Sequence, residues 1–212
     1  PTNSTTTEII PTNNTDTVIE FNGTQDYISI ENTTLNEELN ELTISTYLNP
    51  DYTAGSTEFA VVSKSNSFVL GINNILPPER VATFAIFDGI LWTEITGITE
   101  INEWTHLAAV INGTEITLYV NGTQEATTTI PDKFIISEGE LGLTSSEVAQ
   151  SDSGLIIGAY ISTLRNRIAL SDHFSGTIGD ILVYKSALSE SKINEIYSSY
   201  IAPETQTFIP SM

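Results

Sequence analysis

At 212 residues the chain exceeds the ~150-residue prior for one domain, but β-sandwiches of about 200–250 residues fold as single units, so one domain with short tails is expected. Twenty-seven acidic against seven basic residues leave a formal charge of −20, which repels phosphate backbones and anionic headgroups and excludes nucleic acid as a partner. Cysteine is absent, which removes disulfides, thiolate zinc sites and Cys nucleophiles, and no apolar stretch approaches the ~20 residues that span a bilayer.

Residues 1–16, PTNSTTTEIIPTNNTD, read as a Thr/Asn-rich linker or tail, and the fold proper starts at Thr17. Within the tail, Thr5 to Ile10 has β-propensity and offers a strand for the exposed edge of a second copy, so self-association is expected to run through residues 1–16. Beginning at Pro1 instead of a signal sequence, the chain reads as a processed product or an excised fragment.

From Thr17 the apolar period is mostly two. Tyr27–Ile30, Leu42–Leu48, Phe59–Val62, Ser67–Ile72 and Ala82–Phe87 are predicted strands, rich in β-branched or aromatic residues and broken by Asn49-Pro50-Asp51, Asn73-Asn74 and Pro77-Pro78. Asn112-Gly113 and Asn121-Gly122 supply the positive φ angles of tight hairpin turns, which predicts strands over 105–111, 115–120 and 123–130. Along the middle strand Ile116, Leu118 and Val120 alternate with Thr117 and Tyr119, the pattern of a half-buried sheet. After a looser stretch (131–153), two further strands follow at Gly154–Gly158 and Gly176–Tyr184. A helix capped by Ser189 comes last, with Ile193, Ile196, Tyr197 and Tyr200 on one apolar stripe and Pro203 beyond it. Residues 203–212 form a second tail. Many short strands, one terminal helix and no βαβ alternation predict an all-β, two-sheet antiparallel jelly-roll sandwich with a short C-terminal helix.

Four ordered segments carry a family resemblance. Phe21-Asn22-Gly23-Thr24-Gln25-Asp26-Tyr27-Ile28 is similar to an opening strand, and Leu42 to Pro50 to a second. Trp104-Thr105-His106-Leu107-Ala108 with Leu118-Tyr119-Val120-Asn121-Gly122 resembles a central hairpin, and Phe174 to Ser189 a closing strand and helix. Together, over 17–202, they resemble the laminin G-like (LamG) jelly roll of the concanavalin A-like lectin/glucanase superfamily. Lys192 departs from the pattern: it stands where the family has Glu, so the reciprocal capping box is missing.

The resemblance implies a structural Ca²⁺ between the first and last strands, with Glu20, Asp26 and Asp180 at the matching places. The alternative is that Asp26 and Asp180 fix turns. Glucan-cleaving relatives carry Glu-x-Asp-x-x-Glu on one strand, and the strand around Asp180 has a single carboxylate, so no catalytic activity is expected. His106 reads as a hydrogen-bonded core histidine, and His173 has no triad partners in view.

Sugar binding needs aromatic faces beside hydrogen-bonding groups. Trp92, Tyr52 and Tyr160 near loops are the candidates; Trp92 is read first as core, sharing a strand face with Ile90 and Glu94, and Trp104 as core. Arg165 and Arg167 make the one basic pair suited to an anionic ligand or a charge clamp, against the plain reading of a solvated loop. Sequons at Asn3, Asn13, Asn22, Asn32, Asn112 and Asn121 point to a secreted or cell-surface glycoprotein, although turn chemistry alone accounts for the three Asn-Gly-Thr triplets. The expected function is non-catalytic recognition or adhesion through carbohydrate or a cell-surface protein. The alternatives are a structural subunit of a surface layer or filament, then a glycan-degrading enzyme or its accessory domain.

Overall fold

A computed structural model describes residues 18–30, 40–54, 58–75, 77–87, 91–130, 154–164 and 167–200, with the backbone alone at 162–164 and 167–169. The tail 1–16, Asn3, Asn13, Asn32, Arg165 and Pro203 lie outside these residues.

Fourteen strands and one helix make up the described chain: β1 (Ile19–Asn22), β2 (Ile28–Ile30), β3 (Glu41–Pro50), β4 (Phe59–Lys64), β5 (Phe68–Asn73), β6 (Val81–Phe87), β7 (Trp92–Glu100), β8 (Thr105–Asn112), β9 (Glu115–Val120), β10 (Thr123–Thr129), β11 (Leu155–Ile157), β12 (Tyr160–Leu164), β13 (Arg167–Ser171), β14 (Ser175–Tyr184) and α1 (Glu190–Ser199). One six-stranded sheet runs β1-β14-β3-β8-β9-β10 and the other β2-β11-β4-β5-β6-β7, with β12 and β13 forming a separate hairpin. Every pairing between these strands is antiparallel, as the jelly-roll expectation requires.

Alternation decides what each face buries. Phe68, Leu70 and Ile72 on β5 and Ala82, Phe84 and Ile86 on β6 meet Leu42, Ile44, Leu107, Ala109, Leu118 and Val120 from the opposite sheet in one core. Aromatic edges close one end of it, where Phe174 stands edge-on to Phe21 at 6.2 Å and to Phe59 at 5.5 Å. Gly176 crosses Asn49 and Asp51 with φ +127°, where any Cβ would collide with the Asn49 carbonyl and where an L side chain is strained in any case.

The two Asn-Gly turns differ. Asn121 and Gly122 both take positive φ (48° and 76°) between the paired Val120 and Thr123, which is the type I′ requirement. At the other turn Asn112 itself pairs with Glu115, so Gly113 (φ 62°) and Thr114 are the central residues and Asn112 ends β8.

The middle strand β9 is not half-buried as its alternation predicts. Thr117 and Tyr119 are buried too, because α1 lies over the outer face of that sheet and Ile193 packs with Ala108, Val110 and Tyr119. The helix begins as expected, the Lys192 N–H donating to Ser189 Oγ at 3.4 Å. Its apolar stripe is narrower than predicted: Ile193 is its buried residue, while Tyr197 is 37% exposed. Beyond Ile193 the helix meets the sheet through Tyr197 and the following Tyr200, whose rings stack on Tyr47. No helix among the described residues is long and apolar enough to cross a membrane.

Candidate functional site

Among the described residues no helix covers the outer face of the other sheet. Ala60, Gly71, Thr83 and Thr96 lie on successive strands β4 to β7 in one register row, and Val69, Ala85 and Glu94 in the next. Their inward neighbours are large and their outward side chains small, so the face forms a floor instead of a ridge. Gly71 has a specific reason to be glycine: a Cβ there would stand 2.5 Å from the Phe59 carbonyl oxygen, beside the bulge between Ala60 and Val62.

Around this floor the walls enclose a groove of about 290 Å³. Trp92 and Glu94 stand on β7, Glu58 just ahead of β4, Tyr160 at the start of β12, and Asp172 just past β13. Trp92 is 42% exposed, which corrects the core reading of it. Its indole meets Tyr160 edge to face at 6.0 Å (83°) and Phe87 at 5.3 Å, so a large exposed aromatic is held in one orientation by two others. Tyr160 is itself pinned, its phenolic oxygen accepting from the Asn66 backbone N–H.

The carboxylates are also positioned. Asp172 adopts φ 54°, an unusual conformation that Asp tolerates better than most residues; its carbonyl accepts from Ala60 N–H at 2.8 Å and its carboxylate from the Ser171 hydroxyl at 2.9 Å. Burial, and then the charge of Asp172, raises the proton affinity of Glu58; burial, and then the charge of Glu58, raises that of Glu94. The site therefore combines a fixed aromatic face, acceptor oxygens and a shallow floor, an arrangement that accommodates a flat polar ring.

The sequence matches the laminin G-type family, described as concanavalin A-like lectin/glucanases superfamily, over residues 22–194. The chain belongs to this laminin G-type family. A search of curated protein sequences returns no match. Among solved structures this laminin G-type chain is similar to the heptameric SAP-like pentraxin of Limulus polyphemus (TM-score 0.61, 17% identity, 88% of this chain and 84% of that one). It is likewise similar to the CBM40 of the Ruminococcus gnavus IT-sialidase, bound to α2,3-sialyllactose (0.60, 15%, 85% and 98%). A third likeness is to the binding domain of botulinum neurotoxin DC, solved with SialylT (0.61, 13%, 87% and 42%) and with rat synaptotagmin II (0.57, 12%, 87% and 43%). The chain thus spans under half of that binding-domain chain. At these identities the likeness is one of fold.

Of the sequence-predicted ligand residues, the laminin G-type sandwich brings Trp92 and Tyr160 together. Tyr52 does not join them. The 3-10 turn at Tyr52–Ala54 folds its ring onto Phe59 (5.7 Å, 15°), its hydroxyl donates to the Ile101 carbonyl at 2.7 Å, and the Arg80 guanidinium sits 4.6 Å over it. For Arg167 the backbone is described, paired with Leu164. Glu20, Asp26 and Asp180 do not converge: among the described residues no three His, Asp or Glu side chains form a metal-holding group. Asp26 is engaged in the opening turn, its carboxylate accepting from Asn22 N–H at 3.1 Å, and Asp180 lies near Tyr200.

Among the described sequons, the Asn22 side-chain oxygen organises its own turn, accepting from Thr24 N–H at 2.9 Å and Gln25 N–H at 3.1 Å, and Asn121 accepts from His106 N–H at 3.0 Å. Asn112 is exposed at its strand end. His106 is buried as read, with Nε2 2.7 Å from the Ser45 hydroxyl. Trp104 is half-buried against Tyr200 at 6.3 Å, outside the core proper. His173 is part-buried, bridging to Ala60 beside the groove.

Sequence reasoning missed Glu58, Asp172 and the floor. One signal was available: Val69, Gly71, Thr83 and Ala85 fall on the period opposite to Phe68, Leu70, Phe84 and Ile86, so two adjacent strands are predicted to turn small residues outward.

Proposed function

We propose that this chain is a non-catalytic recognition module that binds carbohydrate in the groove over β4 to β7. The observation that carries the reading is Trp92, exposed at the groove wall yet fixed by Tyr160 and Phe87. A pyranose lays its C–H face on such a ring, and the hydroxyls at its rim need acceptors, which Glu58, Glu94, Asp172 and the Thr83 hydroxyl provide. Little is lost on ordering, because the aromatics are already oriented. The sugar-bound CBM40 and neurotoxin domain support this reading by likeness of fold. The sequons support a setting outside the cell, at a surface or in a secreted assembly, with adhesion to glycans as the role. Calcium enters the proposal as a structural ion only.

Retention on an oligosaccharide array, followed by calorimetric titration of the best ligand, tests the proposal. Trp92→Ala is expected to weaken binding by tenfold or more with an unchanged melting temperature; undiminished binding by that variant overturns it.

A second reading is hydrolysis, favoured by the raised proton affinity of Glu94 beside Glu58, since a protonated carboxyl is what a general acid must be. Release of reducing ends from a bound oligosaccharide, abolished by Glu94→Gln, would replace recognition with catalysis; its absence leaves the first reading in place.

A further inference from the structure

We infer that the groove selects saccharides with protonated free amines, of the glucosamine type, over neutral and acidic sugars; this rests on the reading of the groove as a sugar site. Three carboxylates from three different elements face one groove, and none of the twelve described residues lining it is basic. Two walls are aromatic, and a Trp or Tyr face attracts a cation through its quadrupole. An acidic sugar would bring a further negative charge against Glu58, Glu94 and Asp172, inside a chain of net charge −20. A neutral sugar would stack equally well on Trp92 but leave the mutual repulsion of the carboxylates unrelieved. An ammonium group relieves it, and does so next to an aromatic surface where water is partly excluded.

Among the described residues the titratable groups facing the groove are Glu58, Glu94, Asp172 and Tyr160. Their environment agrees with the inference, because burial and neighbouring negative charge hold Glu58 and Glu94 toward the protonated form in the free protein. A bound cation restores their charge, so affinity for an amino sugar falls as pH drops and the carboxyls take up protons.

The test is calorimetric titration of the full chain with three oligosaccharides of equal length: a glucosamine tetramer, its fully N-acetylated counterpart and a glucose tetramer. The glucosamine tetramer is expected to bind about tenfold more tightly than either neutral one near pH 6, and to lose most of that advantage at about 0.5 M salt, where charges are screened. Glu94→Gln should shrink the ratio severalfold, and Glu58→Gln, on a different element, provides the same readout if the first variant does not fold. Equal or weaker binding of the glucosamine tetramer, with neutral binding still dependent on Trp92, overturns charge selection and leaves the sugar site standing. No binding of any of the three overturns both.

Discussion

The outer face of the β1-β14-β3-β8-β9-β10 sheet is roofed by α1, whereas among the described residues the outer face of β4 to β7 carries no helix and holds the groove beside Trp92. On the roofed face the Tyr47 hydroxyl donates to the Tyr197 carbonyl at 2.6 Å and its ring packs on His106 (4.8 Å) and Tyr200 (3.3 Å), while His106 Nδ1 and the Tyr200 hydroxyl are buried without a hydrogen-bond partner among the described residues. On the other face the aromatics also pack on one another, Trp92 on Tyr160 and Phe87, but Trp92 stays 42% exposed. The sandwich core anchors both faces, so one is free to serve stability and the other recognition, and substitutions on the two should separate these properties.

The largest effect is expected on the roofed face. Ile193 is fully buried and α1 has no other buried residue, so Ile193→Asp, which removes packing and introduces a charge without a partner, should cost about 4 kcal/mol. Urea unfolding measures it, and a loss below about 1 kcal/mol would mean that the helix is not what seals this face.

Acid should discriminate the faces next. Burial pushes the His106 pKa down to about 4, against about 6.5 when unfolded. The unfolded chain therefore binds the proton first, and the stability supplied by the neutral imidazole is full above about pH 6.5 and lost as pH falls toward 4, by about 3 kcal/mol. Glu58 and Glu94 act with the opposite sign: their folded proton affinity is raised, so their contribution to stability grows as pH falls through that raised range. Melting curves from pH 7 to 4 should show a net loss in the native protein and a much flatter dependence in His106→Gln. Equal slopes would remove the histidine from the account.

A smaller effect tests the seam between the sheets. Glu125, the bulged residue of β10, accepts from the Ile98 N–H at 2.7 Å and the Thr99 N–H at 3.1 Å across to β7. Glu125→Ala should cost about 1–2 kcal/mol in the same urea assay. The smallest effect on stability belongs to the open face, where Trp92→Ala is expected to change it by less than about 1 kcal/mol while removing sugar binding; a large loss of stability there would make Trp92 structural.

The hairpins from Thr105 to Thr129 were legible because positive φ at Asn121, Gly122 and Gly113 is a local property, read from residue type alone. Capping of α1 by Ser189 was legible for the same reason. The strand from Trp92 to Glu100 was not delimited, since Gly97 and the irregular pairing between Val81 and Thr83 interrupt its alternation. Nor was the β12–β13 hairpin, whose Tyr160 and flanking Asp172 complete the groove. Trp92 was named as a ligand candidate while its strand face was read first as inward, because a strand's period says which residues share a face and not which face meets the core.

By itself the sequence determined the class of fold, its family and the turns that set strand pairing, since alternation, Asn-Gly pairs and capping residues act over a few neighbours. Tertiary structure alone decided which outer face was covered and which was left open. That choice depends on where a ten-residue helix lands after β14 and on register rows that place Ala60, Gly71 and Thr83 side by side with Glu94 and Trp92 at their edge, contacts between residues some 10 to 85 positions apart that no local pattern records.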